Sequence, residues 1–313
     1  MLSRTADSMF WLSRYMERSD GLLRGIKTHY ILLLDKGVNE HLSWRPMLEV
    51  FTTANEEEIT ALEHNTDAAL YKLISDKENL NALKVLITRA RENARGMQDH
   101  ITKEVWEQVN QMYHLINQTT LDSQLKSFEA IKTIDSLTNE CILYNGVTDT
   151  TMPRGMGWSF MSLGKHIERC LLTIEMADKY FSLIDYNIDE EKDILQWRPM
   201  LLSLSGYELH LKTYRSSEFN LNALHQVLFN ENFSRSLLYT LKRVEKYFVK
   251  VTKGHHSKEI EDLTKCLGRL VSKLQFTDFN SINQLTLQKF LIETRKELNE
   301  FSSMLAKSFF SYS

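Results

Sequence analysis

Trp44 to Leu48 read WRPML, and Trp197 to Leu201 read WRPML again. In a chain of 313 residues with three prolines and five tryptophans, that recurrence points to internal duplication. The surrounding sequence extends the match. Met9, Leu12, Met16, Ser19, Leu23, Ile26, Tyr30 and Leu33 follow alternating three-four spacing and line one face of a helix from about Ser3 to Asp35. Shifted by 151 positions, Phe160, Leu163, Ile167, Cys170, Ile174, Ala177, Phe181 and Ile184 repeat the seam in the same register. At WRPML the offset becomes 153, a change that a loop between the first two helices of each half absorbs. Weaker matches continue near an offset of 154, where Asp76 meets Asn230, Leu83 meets Leu237 and Arg89 meets Arg243.

The expected fold is therefore all-α, a helical bundle of two tandem, duplicated halves packed as one unit, residues 1–150 and 151–313. Glycine is sparse at 11, and alternating β-branched runs bounded by turn residues are hard to find. Further helices are expected near 57–76, 79–98, 102–118 and 122–144, then near 202–216, 233–252, 257–274 and 281–309. The run GVTDTTMPRGMG, Gly146 to Gly157, gathers turn formers around a proline and reads as the joint. Within WRPML, Pro46 suits a first helical turn, where its missing N–H has no intrahelical partner, and Ser43 suits a cap. Trp44, Met47 and Leu48 anchor that turn by burial, while Arg45 and Arg198 are free to point into a shared site.

A formal net charge of −3 supplies no global pull toward nucleic acid or anionic membrane. Cys141, Cys170 and Cys266 are odd in number and form no CxxC pair, as expected of buried thiols in a reducing compartment. The first twenty residues carry charge throughout, and apolar stretches such as YILLL are far shorter than a membrane span. A cytoplasmic protein is expected, with neither nucleic acid nor membrane as partner.

The sharpest polar features are two Glu-Arg dipeptides, Glu17-Arg18 and Glu168-Arg169, which coincide under the 151-residue shift; Arg14 falls on Lys165. They lie just off the apolar seam on a face flanked by Phe10, Trp11, Ile31 and Leu32. Under such cover a carboxylate and a guanidinium must be paired, because an isolated buried charge costs several kcal/mol, roughly. Arg14 to Glu17 and Lys165 to Glu168 have spacing for pairing along one helix. One reading is a structural ion network tying the halves together. The other is a polar pocket between the repeats, with the glutamates as acid/base or amine-binding groups and the arginines holding carboxylate or phosphate. The structural reading is preferred.

A second basic cluster, TRARENARG, brings Arg89, Arg91, Glu92, Asn93 and Arg95 around Ala90 and Ala94. The small alanines permit close helix packing, across which Glu92 and Asn93 are placed to hydrogen-bond. In ITKEVWEQVN, Trp106 and Asn110 share one side of the next helix. Tyr214-Arg215 and Arg235-Ser236 stand as isolated candidates, and His255-His256 reads as a surface turn. The chain has no Glu-x-x-His pair for a di-metal bundle, no phosphate-binding glycine loop and no GxSxG elbow. Neither metal nor cofactor is expected.

Three blocks, MLSRTADSMFWLSRYMERSD, RARENARGMQDHITKEVWEQVN and GMGWSFMSLGKHIERCL, resemble the bacterial alpha-E family over essentially the whole chain. The pairs at Tyr214-Arg215 and Arg235-Ser236 fall where that family's pattern has them; Ser234 departs from it, since proline is usual before the Arg-Ser pair. The resemblance implies association with a circularly permuted ATP-grasp protein and a transglutaminase-like protein in a system that makes or remodels peptide amide bonds. It assigns no reaction to the helical member. Two expectations follow: a non-catalytic partner or peptide-binding component engaging an acidic surface through its arginines, or an enzyme of the same pathway using Glu17 or Glu168.

Overall fold

A computed structural model describes residues 3–35, 42–190 and 193–310. All regular secondary structure among them is helical. In chain order the α-helices are α1 Ser3–Leu34, α2 Arg45–Phe51, α3 Glu56–Leu62, α4 Thr66–Ile74, α5 Leu83–Arg95, α6 Lys103–Ile116, α7 Leu121–Leu125 and α8 Ala130–Thr151. They continue as α9 Met156–Ser182, α10 Ile194–Ser203, α11 Tyr207–Thr213, α12 Phe219–Leu228, α13 Leu237–Thr252, α14 Lys258–Phe276 and α15 Gln284–Phe309. The chain forms two compact units. One is Trp11–Pro153; the other is Met1–Phe10 with Arg154–Ser313.

In the Trp11–Pro153 unit, α6 packs against both α5 and α8. The apolar rows of the three helices explain the arrangement, with Leu83, Leu86, Ile87 and Ala90 on α5, Val105, Val109 and Met112 on α6, and Ile134, Leu137 and Cys141 on α8 all buried. In the other unit α9 packs on α13 and α15, and α14 on both α13 and α15. The seam read on α9 is buried along its full length from Phe160 to Ile184. On α1 burial follows the seam through Ile26, then moves to His29 and Leu32, leaving Tyr30 and Leu33 half-buried.

Several expected helices are interrupted, each by local chemistry that competes with the helical ladder. The 57–76 segment divides because the Asn65 side chain accepts from Ala68 N and caps α4. The 122–144 segment divides into α7 and α8. Residues 202–216 divide between α10 and α11, where Ser205 adopts a positive φ of 56° before Gly206. The helix α12 occupies a stretch from which no helix was expected. At the joint, α8 runs through Gly146 to Thr151, so the break is confined to Met152–Gly155 around Pro153, the residue that lacks an N–H.

The two WRPML copies differ locally. In the first, Trp44 itself is the N-cap, proline occupies the first turn, and Ser43 Oγ accepts from Arg45 N at 3.2 Å instead of capping the helix. In the second, α10 begins earlier, capped by Asp193, and Pro199 lies inside the helix. Both tryptophans are fully buried, with their indole N–H groups bonded to Thr66 Oγ1 at 3.2 Å and Asn220 Oδ1 at 2.9 Å.

Candidate functional site

Glu17 and Glu168 are both buried, at 2% and 3% exposure. Around Glu17 the side chains alternate from two helices. Ser13, Glu17 and Asp20 come from α1, and Cys141, Tyr144 and Thr148 from α8; all six are buried. Asp20 is paired with Arg24. Burial pushes the Tyr144 phenol up to about 12, with the Cys141 and Glu17 charges acting in the same direction. The Cys141 thiol is also raised, first by burial and then by Asp20. The Ser13 and Thr148 hydroxyls beside the Tyr144 phenol act the other way and draw it back down.

Arg18 bridges three segments. Its Nε donates to Asn81 Oδ1 at 2.9 Å, its Nη2 donates to the Val50 carbonyl at 3.1 Å, and its guanidinium lies 5.3 Å from the Phe51 ring centroid. Arg169 donates through Nη1 to the Ser234 carbonyl at 3.4 Å, and Thr173, one turn along α9, donates to the Arg235 carbonyl at 2.9 Å. Each motif arginine thus holds a segment leading into the next long helix of its own unit, α5 or α13. Arg14 lies 4.7 Å from the Trp11 ring. Lys165 is half-buried on α9.

The TRARENARG cluster is occupied within its own unit. Arg91 donates to Asn110 Oδ1 at 2.8 Å and sits 4.4 Å from the Tyr113 ring and 5.8 Å from Trp106. Arg89 lies 6.0 Å from the Tyr15 ring. The expected bonds across the helix contact do not form: Glu92 pairs with Arg91 and Arg95 on its own helix, and Asn93 donates to the Arg89 carbonyl. Glu92 is exposed on the outer side of α5, and Asn93 is half-buried with its amide turned back onto its own helix.

Residues that stand apart in the sequence meet in the second unit. Tyr214 Oη is 2.7 Å from His225 Nδ1 and accepts from Asn230 Nδ2 at 3.0 Å. Ser236, the cap of α13, donates to the Asn230 carbonyl at 2.6 Å. The Tyr214 ring stacks on His210 at 5.1 Å, and His210 Nδ1 lies 2.7 Å from Gln226 Oε1. Gln226 also donates to the Gly206 carbonyl, which fixes its amide orientation and places the His210 proton on Nδ1. Burial lowers the pKa values of both histidines and raises that of Tyr214. Arg215 is exposed and outside this network, and the Arg235 carbonyl is bonded to Thr173 of α9. His210, His225, Gln226 and Asn230 were not foreseen, and no sequence motif marks them. The described residues contain no cluster of three or more histidine, cysteine or acidic side chains able to hold a metal.

Residues 1–310 match a family described as a predicted alpha-helical domain with a conserved ER motif. The chain belongs to the Alpha-E family. Its two Glu-Arg dipeptides are those at 17–18 and 168–169, each a buried glutamate followed by a half-buried arginine. No curated protein and no solved structure matches the chain.

Proposed function

We propose that this Alpha-E chain is a cytoplasmic, non-catalytic helical component of a peptide amide-bond-forming or modifying system. It engages an ATP-grasp or transglutaminase-like protein, or their peptide. The observation that carries this reading is the use made of the motif arginines: Arg18 and Arg169 reach backbone carbonyls and an asparagine, fixing helix-entry segments in place. A guanidinium so engaged builds a scaffold. The assignment of this system rests on the family resemblance. A location in the cytoplasm accords with the finding that no described helix is long and apolar enough to cross a membrane. The test is native mass spectrometry of the chain mixed with the ATP-grasp protein encoded beside it, with and without ATP. A stoichiometric complex is expected; two separate folded species in both conditions would sink the proposal.

A second reading, an enzyme of the same pathway, draws on the Glu17 surroundings. A buried carboxylate whose charge acts on a buried phenol flanked by two hydroxyls is an arrangement able to handle a proton. Here Glu17→Gln abolishes pathway turnover while melting is unchanged. Loss of stability with retained turnover returns Glu17 to a structural role.

A further inference from the structure

The Trp11–Pro153 unit contains a cleft of about 210 Å³ where the end of α6, the short α7 and the start of α8 meet. Its apolar wall comes from Leu115, Leu121 and Leu137, the last two buried. Its polar lining is Gln118, Gln124, Glu129, Lys132, Thr133 and Ser136. Among the described residues none of these six side chains makes a hydrogen bond or ion pair, although Glu129 and Lys132 carry opposite charges one helical turn apart. Gln118, Lys132 and Ser136 are exposed at its mouth, and Gln124, Glu129 and Thr133 are half-buried.

We propose that this cleft binds a small zwitterion of amino-acid or dipeptide type, one carrying an ammonium, a carboxylate and an amide. Glu129 takes the ammonium and Lys132 the carboxylate. Thr133 and Ser136 donate hydroxyls, and the two glutamine carboxamides offer both a donor and an acceptor to an amide group. The volume lies below the roughly 300–1,000 Å³ of sites for drug-sized ligands, which selects something the size of one or two residues. The apolar wall accommodates an aliphatic stem.

This assignment deepens the binding role proposed above by naming a ligand class. Its test needs no partner protein, so failure of the complex and failure of the cleft are separate results. Isothermal titration of the full chain compares L-alanyl-L-glutamine with the same dipeptide N-acetylated, C-amidated and blocked at both ends. The free dipeptide is expected to bind saturably at one site, and each single block to weaken it at least ten-fold. In Lys132→Gln, amidation of the ligand ceases to matter while acetylation still does; in Glu129→Gln the pattern reverses. Neither side chain is bonded to the fold, so both variants should melt as the parent does. No saturable binding of the free dipeptide, equal affinity for free and doubly blocked peptide, or unaltered discrimination in both variants would each overturn the assignment.

Discussion

The phenol of Tyr214 lies 2.7 Å from Nδ1 of His225, and a donating phenol satisfies both groups of the pair. Asn230 Oδ1 accepts from Asn232 N, so its amide nitrogen faces Tyr214 and donates to the phenol oxygen. With burial holding His225 toward its neutral form, the phenol proton pointing to Nδ1 puts the ring proton on Nε2. Tyr214→Phe strips Asn230 of an acceptor and His225 of a donor, leaving two polar groups unpaired. A loss of about 1–3 kcal/mol is expected. Urea unfolding at pH 7 measures it, and a variant within a few tenths of the parent contradicts the network.

Neutral histidines make stability depend on acid. His29 is fully buried, its Nδ1 2.9 Å from the Gly25 carbonyl, and burial pushes it down to about 4. The unfolded chain binds that proton near the ordinary value of about 6.5, so between these limits the unfolded state holds more protons and stability falls as pH falls. His210 and His225 shift in the same direction. Between pH 7 and pH 4, His29 alone should cost roughly 3 kcal/mol. Denaturant midpoints across this range should decline, and His29→Gln should flatten the slope. An equal slope in that variant would remove His29 as its cause.

Close approach of two helices is written into Gly164. A Cβ there would overlap the Phe10 carbonyl oxygen, which is backbone and cannot swing away. Gly164→Ala must separate α1 and α9 where they meet, and overpacking of that kind costs about 1–3 kcal/mol. Gly146→Ala is the control: nothing stands within 4 Å of its Cβ position, and a helix-interior alanine there should stabilise α8 by up to about 1 kcal/mol. Thermal melting of the two variants should move in opposite directions.

What the sequence conveys and what it withholds divide along the range of the forces. The long helices α1 and α9 are legible because one apolar row fixes their period over most of their length, and the burial of Trp44 and Trp197 follows from size and hydrophobicity. The breaks at Asn65 and Ser205 are not legible, because a capping side chain or a positive φ wins by only about 1 kcal/mol over the helix that the same residues permit. Tyr214, His225, Asn230 and Ser236 show no common period, and only the fold of α11, α12 and α13 brings them together. Residues 217–232, read without a helix, offered no face on which to place His225 or Gln226.

Arg18 separates charge from geometry. Lysine keeps the positive charge but has a single nitrogen, which cannot serve Asn81 Oδ1 and the Val50 carbonyl as Nε and Nη2 do. Arg18→Lys should therefore destabilise the chain by about 1.5–3 kcal/mol, the scale of hydrogen bonds to a charged group. Asn81→Ala removes one of those bonds, and the double variant should lose less than the two single losses combined. Full additivity in a double-mutant cycle would mean that Arg18 and Asn81 act independently.

The twin pentapeptides give the last test, since identical sequence sits in unequal surroundings. Arg45 is held by Glu63 and Glu56, each at 2.8 Å, and its neighbourhood draws the Glu63 carboxyl below its ordinary range. Arg198 has a buried Nε without a hydrogen-bond partner among the described residues and rests 5.9 Å from the Tyr207 ring. Replacing each with methionine keeps an unbranched stem while removing the guanidinium. Arg45→Met should lose up to about 1 kcal/mol, a loss that salt diminishes because the pairs are solvent-screened. Arg198→Met removes an unsatisfied buried donor and should be neutral or stabilising. Melting both variants at low and high salt distinguishes them; equal losses would show that local sequence, and not the partners gathered around each arginine, sets its contribution.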